Sequence, residues 1–397
     1  RRSPVIRTLD AGRDKIARGA VLRHAEALFE GSLLRYDPEH AAGLCDIVVG
    51  EVEEPLSRDY IDIRVDGLEL LTRRDGQLVF SMRRFKPGLI AIPVGNRYAP
   101  GCIQGGLQNP ADLSPNGPVT GGTTVVNLAC GNLAGFVNSA WPPDRPLTRI
   151  KVLGTLVDDD ARPISLRRFV PTPEVRRGPP AAGVLVGGAA MEMGKTTFCG
   201  ALFHALRRAG CDTAYLKATG TACFVSDPLR VQTGKPNTPE SWDEEVAIDP
   251  GLLRVSDFVD ACGVPSDLSA DAATIIEDTC RFLEGQTADT IICELADSLH
   301  HRTNLALLRS PGFRSRFRSL VYITDPSLDA VQNFVYFVRD VLKWPEVRIA
   351  LAGAIATDPA HEALRSEIRA RLGLPCLDPS DEETLVEWVG PERSGAG

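Results

Sequence analysis

The chain has 397 residues, of which 43% are apolar and 24% charged, a balance typical of folded globular proteins and enough length for two domains. Its formal net charge of -8 disfavours nucleic acid or an anionic membrane as the main partner. No apolar run approaches the roughly 18 residues of a membrane-spanning helix. These properties predict a soluble globular protein whose main task is not the binding of polyanions.

The ten cysteines are scattered along the chain and form no CxxC pair. This spacing disfavours both a structural zinc site and a disulfide framework, and it favours reduced thiols in a cytoplasmic protein. The first residues contain no apolar signal core, so secretion is not expected.

The first part of the chain predicts a β-rich α+β domain over residues 1–172. Helical spacing of apolar residues predicts an opening helix within 11–34, and strict alternation predicts a strand at 60–66. Asp75-Gly76 is typical of a hairpin turn. Further strands are predicted at the following ranges: 89–94, 123–129, 149–157 and 164–169.

A cluster rich in glycine, asparagine and proline extends from Gly95 to Asn138. It is long for a simple connection between strands. Two interpretations stay open: irregular surface structure, or a backbone that approaches a ligand closely.

A second domain follows a proline-rich segment. Four prolines lie between Pro171 and Pro180, which predicts a stiff linker at 173–182 and a new domain at 183–397. In that domain, short apolar strands alternate with amphipathic helices, the pattern of a parallel sheet covered by helices. The predicted strands are at 184–186, 213–216, 290–293, 320–324 and 348–354.

The most specific motif is a phosphate-binding loop between the strand at 184–186 and a helix that begins near Lys195. Backbone N–H groups of such a loop face phosphates, Lys195 supplies a positive charge, and the Thr196 hydroxyl can hold magnesium. The two glycines are separated by five residues, one more than in the common pattern. The predicted cofactor-binding residues are Gly188, Glu192, Met193, Gly194, Lys195, Thr196 and Thr197.

This loop and the Ala214–Thr221 segment resemble the dethiobiotin synthetase branch of P-loop proteins. The resemblance implies that Lys217 is catalytic and that Thr219 and Gly220 hold substrate; Ala218 replaces the family's usual proline. The chain looks closer to a related P-loop family, loosely labelled epimerases or dehydratases, that includes a D-glutamate N-acetyltransferase. The likeness covers residues 180–378 and implies a homodimer.

A further strand, Thr290 to Cys293, ends in Glu294, with Asp297 three residues later. An acidic residue at this place can bind magnesium, so Thr196 and Glu294 are the predicted metal ligands and Glu294 is also a predicted catalytic residue. Arg302 is predicted to clamp a phosphate or carboxylate. The adjacent His300 and His301 do not have the spacing of a zinc site.

Asp257 and Asp297 are predicted to contact the substrate, Asp257 because its segment resembles an Asp-Phe segment of the loosely labelled family. Asp260 is a second acidic candidate, and both Asp257 and Asp260 are equally well explained as surface acids.

The leading hypothesis is an ATP- and Mg²⁺-dependent enzyme that phosphorylates a small carboxylate or carbamate for capture by an amine. ATP is favoured over GTP because no Asn-Lys-x-Asp segment follows the later strands. One alternative is an N-acyltransferase whose loop grips acyl-coenzyme A, and another is a nucleotide-dependent switch or metallochaperone. A dehydrogenase is disfavoured, since no G-x-G-x-x-G follows the strand at 184–186.

Overall fold

The protein is a mixed α/β molecule with a large curled sheet, a separate parallel sheet and a small three-stranded sheet. The computed structural model describes residues 5–11, 13–30, 33–54, 67–74, 77–98, 103–109, 111–129, 132–140, 147–170, 182–220, 231, 246–248, 255–264 and 272–389.

The curled sheet is built from ten strands of the first half of the chain. These are β1 Arg7–Asp10, β2 Ala17–Arg18, β3 Leu33–Asp37, β4 Ile47–Glu54, β7 Gly88–Pro93, β8 Arg97–Tyr98, β9 Gln104–Gly106, β10 Thr124–Asn127, β11 Ala134–Ser139 and β12 Arg149–Val157. The main path runs β2-β7-β4-β12-β10-β11-β9-β8, and β3 joins β1 to β12. β12 is the longest strand and pairs with β4, β10 and β3, which organises the sheet around it.

The opening helix and a β-hairpin of this half lie where the sequence predicts them. The opening helix is a 3₁₀ helix, Ala20–Phe29, shorter than the predicted range. β5 Gly67–Arg74 and β6 Gln77–Arg84 pair as an antiparallel hairpin on either side of Asp75-Gly76. The predicted strand at 60–66 lies outside the described residues.

The prediction of a strand at 164–169 is wrong. Residues Leu166–Phe169 form a 3₁₀ helix that follows β12. The backbone turns here, because the Ile164 amide donates to the Leu156 carbonyl and the Leu166 amide donates to the Cys45 carbonyl. Only short bridges at Pro163 and Ser165 extend the sheet.

The glycine- and asparagine-rich segment is more regular than a surface loop. It contains β8, β9, β10 and most of β11, and Ile103, Leu128 and Leu133 in it are fully buried. Gly105 packs against the Phe136 carbonyl so closely that a Cβ atom would lie 1.9 Å from its oxygen. Glycine is therefore needed at this position for two backbones to meet.

The parallel sheet confirms the predicted pattern of the second half. Its strands are β13 Ala182–Gly188, β14 Thr213–Lys217, β16 Val255–Asp257, β17 Thr290–Glu294, β18 Phe317–Ile323 and β19 Arg348–Ala352, in the order β16-β14-β17-β13-β18-β19. The chain leaves β13 toward β14 on one side and later reaches β18 on the other. Open α/β sheets bind ligands at the carboxyl ends of strands beside such a reversal.

Helices cover both faces of this sheet. They are α1 Lys195–Arg208, α2 Phe258–Cys262, α3 Ala272–Gly285, α4 Arg302–Arg309, α5 Pro311–Arg314, α6 Leu328–Tyr336, α7 Ala354–Thr357, α8 Glu362–Leu372 and α9 Glu382–Val389. A five-residue π turn, Phe337–Val341, extends α6. α1 and α9 pack on one face and α3 to α6 on the other, because successive residues of each strand point to opposite sides. Among the described helices, none has the length and apolar character that crossing a bilayer requires.

The two halves of the chain share a hydrophobic core. Val21, Leu22 and Phe29 of the opening 3₁₀ helix pack in one cluster with Phe258 and Ile275. β15 Val246–Ile248 adds to the β5–β6 hairpin through antiparallel pairing with β6. The predicted linker lies almost entirely outside the described residues, and the division into domains at 172 and 183 stays a prediction.

Candidate functional site

The predicted phosphate-binding loop connects β13 to α1 at the carboxyl edge of the parallel sheet. Glu192 and Gly194 both have left-handed backbone conformations, with φ of 59° and 92°. Gly194 is the N-terminal cap of α1 and places the first turn of that helix toward the loop. The loop thus lies at the positive end of a helix dipole, an arrangement that proteins use to bind phosphate.

Lys195 reaches back across this loop. Its Nζ donates a hydrogen bond of 2.5 Å to the Ala190 carbonyl, and the residue is only 5% exposed. Burial lowers the pKa of Lys195; the carboxylates of Glu294 and Asp297 oppose this shift, and the ammonium of Lys217 adds to it. Gly188 lies under the Lys195 side chain: a Cβ atom on residue 188 would lie 3.1 Å from Lys195 Cδ. The loop therefore holds a desolvated cation with incomplete charge compensation.

Glu294 is the centre of the second part of the site. It is 2% exposed, and three neighbouring side chains donate to it. The Thr196 hydroxyl donates to Oε1 at 2.9 Å and the Tyr215 hydroxyl donates to Oε2 at 2.7 Å. The Cys199 thiol is the third donor; burial and then the Glu294 charge raise its pKa well above the ordinary value, so it stays neutral.

The Thr196 hydroxyl and the Glu294 carboxylate would suit magnesium, which prefers hard oxygen ligands. Thr196 Oγ1 and Glu294 Oε1 are 2.9 Å apart, so the two predicted metal ligands are adjacent. A cation entering there would replace the hydrogen bond between them.

Replacing Tyr215 with phenylalanine is expected to weaken magnesium-dependent nucleotide binding, because Glu294 loses the bond that orients it. Loss of such an outer partner typically costs about 10- to 100-fold in metal affinity. The measurement is a titration with magnesium at a fixed concentration of a fluorescent ATP analogue, in which the bound fraction of the analogue is followed. Tyr336→Phe, on the exposed face of α6, is the matched control. An unchanged magnesium midpoint would show that Glu294 does not need Tyr215.

Lys217 ends β14 in register with two acidic residues. Its Cα is paired with Glu294 on β17 and with Asp257 on β16, so the three positions form a row at the carboxyl edge of the sheet. Lys217 is 6% exposed. Gly220 has φ of 136°, and a Cβ there would lie 3.3 Å from Lys217 Cε. The segment after β14 therefore folds back over the Lys217 side chain, as glycine permits.

Thr219 is buried and bonded within the protein. Its hydroxyl accepts from the Ala296 amide at 2.9 Å and donates to Asn304 Oδ1 at 2.8 Å. Both bonding modes of the hydroxyl are used by the protein. Whether Thr219 also contacts substrate stays a prediction.

Asp297 and Arg302 lie on the segment that follows Glu294. Asp297 is half-buried with a left-handed backbone, φ 58°, and its charge acts on Lys195. Arg302 is exposed, and its guanidinium lies 5.9 Å from the ring centre of Tyr98. The neighbouring His301 ring nitrogen Nε2 is 3.2 Å from the Tyr98 carbonyl oxygen. The segment thus contacts the glycine- and asparagine-rich part of the first half.

The phosphate-binding loop contacts the same part of the first half. Met191, in the middle of the loop, packs against the cluster formed by Ile103, Leu128, Ala129 and Leu133. In the loop, Glu192 is exposed and Met193 is half-buried; at the start of α1, Thr196 is half-buried and Thr197 is exposed. The first half of the chain therefore borders the predicted phosphate-binding site directly.

Asp257 occupies an ion-pair cluster. Its Oδ1 accepts from the Arg23 guanidinium at 2.6 Å and from the Val259 amide at 2.8 Å, which caps α2. Asp260 also bonds Arg23, and its Oδ1 lies 2.7 Å from His24 Nε2. These acids join the opening 3₁₀ helix to the parallel sheet. The role of Asp257 toward substrate stays a prediction.

Asp257 is expected to make stability depend on pH. Burial, strengthened by Asp260 and opposed by Arg23, raises its pKa from 3.8 to about 7. Between these values the folded chain keeps a proton that the unfolded chain has lost, so this group favours folding less as pH rises from 4 to 7. The pKa of Asp260 is instead lowered, by Arg23 and His24 against the effect of burial, and its contribution changes below pH 4.

The test compares thermal unfolding of the wild type and Asp257→Asn at pH 4.5 and 7.5. Asparagine retains the capping oxygen, so the variant is expected to gain stability relative to the wild type at the higher pH. Asp159→Asn, fully exposed, is the control. An equal difference between the proteins at both pH values would contradict the raised pKa.

Two residues of the site escaped the sequence analysis. Tyr215 could have been found, because it lies two positions before Lys217 on an alternating strand and so shares its face. Asn304, on α4, had no local signal, since its partners are two loop carbonyls and a threonine 85 positions away.

Comparisons with known proteins add little to this geometry. No protein-family model matches the chain, and no curated protein does. Among solved structures, a DUF1611 family protein from Anabaena variabilis is 18% identical, with a TM-score of 0.34 over 56% of this chain and 63% of that one. The chain thus spans less than two thirds of that relative.

The signal recognition particle receptor FtsY from Elizabethkingia anophelis is also similar, at 18% identity and a TM-score of 0.30 over 57% of this chain and 70% of that one. Chloroplast FtsY from Physcomitrella patens is 16% identical, with a TM-score of 0.28 and coverage of 57% and 71%. The scores are too low to support any inference about activity. The assignment of the second half to a P-loop-like fold stays a prediction, which rests on its own strand order, loop and Lys195.

Proposed function

We propose that the protein is an ATP- and Mg²⁺-dependent enzyme that transfers the γ-phosphoryl group to a small carboxylate or carbamate. The observation that carries the proposal is the pair of buried lysines at one sheet edge. Lys195 and Lys217 are 5% and 6% exposed, and the charge of Lys217 disfavours that of Lys195. Two desolvated cations of the same sign favour a polyanion such as a triphosphate between them.

The residues divide the work of phosphoryl transfer. The loop amides and Lys195 bind the β- and γ-phosphates, and Thr196 and Glu294 would hold magnesium, which neutralises phosphate charge when bound. Lys217 stabilises charge on the phosphoryl group as it moves. Met191 and the neighbouring apolar cluster exclude water from one side of the loop.

The chemistry has two balanced steps. An oxygen of the carboxylate or carbamate attacks the γ-phosphorus, and ADP leaves with the electrons of the broken P–O bond. An amine then attacks the carbonyl carbon of the acyl phosphate, releases inorganic phosphate and forms a C–N bond. The resemblance of the loop and of Lys217, Thr219 and Gly220 to dethiobiotin synthetases supports this order of steps. The same resemblance supports two further parts of the proposal: that the protein belongs to the dethiobiotin synthetase branch and that it forms a homodimer.

The test screens small carboxylic and amino acids for release of inorganic phosphate from Mg·ATP by the full chain. The expected result is phosphate release that requires an acid, magnesium and Lys217. An acid that is acylated from acetyl-coenzyme A in the absence of ATP would contradict the proposal and identify an acyltransferase. Nucleotide hydrolysis with no dependence on any acid would instead favour a switch.

A further inference from the structure

A buried hydrogen-bonded cluster, here called the Asn304 clamp, links the segments that follow β14 and β17. It consists of Asn304, Thr219, Ala296 and Ser298. The Asn304 amide Nδ2 donates to the Ala296 carbonyl at 2.6 Å and to the Ser298 carbonyl at 2.8 Å. Its Oδ1 accepts from the Thr219 hydroxyl at 2.8 Å. Asn304 has no exposed surface, so these bonds are formed in a dry environment.

The chemistry of the clamp selects asparagine. The side chain must donate twice in one direction and accept once in another, and an amide does both. An aspartate of the same shape would place a carboxylate oxygen against two carbonyl oxygens. A leucine would leave two carbonyls and the threonine hydroxyl without these bonds.

The clamp brackets Asp297. Asn304 holds the carbonyls of the residues on either side of it, and Asp297 between them has φ of 58°. Aspartate enters this left-handed region more readily than most non-glycine residues, but the conformation still costs free energy, which the bonds around it offset. Asp297 is one of the predicted substrate contacts. The clamp thus determines where its carboxylate lies.

The same cluster reaches the Lys217 segment. Thr219 joins Asn304 to the chain two residues after Lys217, and its hydroxyl also accepts from the Ala296 amide. The Ala218 amide donates to the Glu294 carbonyl at 2.9 Å, so the two segments are joined along their length. A displacement of one segment is therefore transmitted to the other.

We propose that Asn304 is a positioning residue for phosphoryl transfer: it holds Asp297 in its left-handed conformation and fixes the Lys217–Gly220 segment relative to it. The inference rests on the proposed function. Asn304 itself does not contact the reacting groups, and its effect is exerted through Thr219 and the backbone around Asp297. It is expected to control turnover more than nucleotide affinity, since the phosphate-binding loop lies outside the clamp.

The test compares the wild type with Asn304→Asp and Thr219→Val, with Asn333→Asp on the exposed face of α6 as the matched control. For each protein we would measure thermal unfolding, Mg·ATP affinity by calorimetry, and ADP release with an acid identified by the screen. Hydrogen exchange of the segments 216–220 and 295–299 would be followed with and without Mg·ATP.

Both clamp variants are expected to lower kcat about 10- to 100-fold, as small misplacements of reacting groups do, with Mg·ATP affinity within about threefold. In the wild type, Mg·ATP should slow exchange in both segments. In Asn304→Asp it should slow exchange at 295–299 only, because the link to 216–220 is broken.

The inference would be overturned if Asn304→Asp had the same turnover and the same hydrogen exchange as the control Asn333→Asp. Equal losses of affinity, turnover and thermal stability would also overturn it, since they would indicate a structural role alone. If Asn304→Asp does not fold, Thr219→Val decides the question by itself. A wild type that does not bind Mg·ATP would refute the proposed function, whereas failure of the clamp would show in the exchange comparison.

Discussion

Replacing Lys195 with alanine should abolish measurable binding of Mg·ATP. Lys195 is buried and points across the loop toward Ala190, where it can move to a phosphate without a large rearrangement. Removing one partner of a buried charged contact costs roughly 2–5 kcal/mol, or about 30- to 4,000-fold in affinity. Equilibrium titration of a fluorescent ATP analogue measures the loss.

The folded state should survive this change. Burial lowers the pKa of Lys195, which means that its charge is unfavourable in the absence of phosphate. We therefore expect the ligand-free variant to unfold at no lower temperature than the wild type. Lys151→Ala, an exposed lysine of β12, is the control. Retention of normal affinity in Lys195→Ala would rule out the loop as the phosphate site.

Replacing Lys217 with methionine should separate binding from chemistry. Methionine retains the apolar length of the side chain, so the packing under Gly220 is largely preserved. If Lys217 stabilises the phosphoryl group in transfer, kcat falls about 100- to 1,000-fold, as with loss of other transition-state donors. The Kd for Mg·ATP should change much less, since Lys195 and Thr196 remain.

The measurement for Lys217→Met is steady-state phosphate release beside calorimetric Kd, with Lys151→Met as control. A parallel loss of affinity and turnover would assign Lys217 to ground-state binding. Unchanged turnover would remove it from the reaction and leave it as a structural partner of the acidic row.

Local sequence signals predicted the parallel sheet and the strand–loop–helix unit around Lys195 well. The strand, glycine loop and helix around Lys195 are contiguous, so their order along the chain already defines their geometry. Glu294 and Lys217 were placed correctly at strand ends, and parallel pairing brings those ends to one edge. The alternation of strands and helices along the chain implied a parallel sheet, and that topology brings Glu294 and Lys217 to the same edge as Thr196.

Long-range pairing accounts for what the sequence analysis did not predict. Asp257 bonds Arg23, which is 234 positions away, and no periodicity connects them. The segment 164–169 looked like a strand by composition, yet contacts with Cys45 and Asp46 turn it into a 3₁₀ helix. The contact of Met191 with Ile103 and Leu128 joins two regions that seemed independent. Each of these features depends on the packing of the first half against the second.

Calorimetric titration of the full wild-type chain with ATP, in the presence and absence of magnesium, tests the proposed ligand most directly. GTP, acetyl-coenzyme A and NAD would be titrated in parallel. The proposed arrangement of Lys195, Thr196 and Glu294 predicts ATP binding that strengthens with magnesium and exceeds that of the other ligands. Binding of acetyl-coenzyme A with no response to ATP would contradict it.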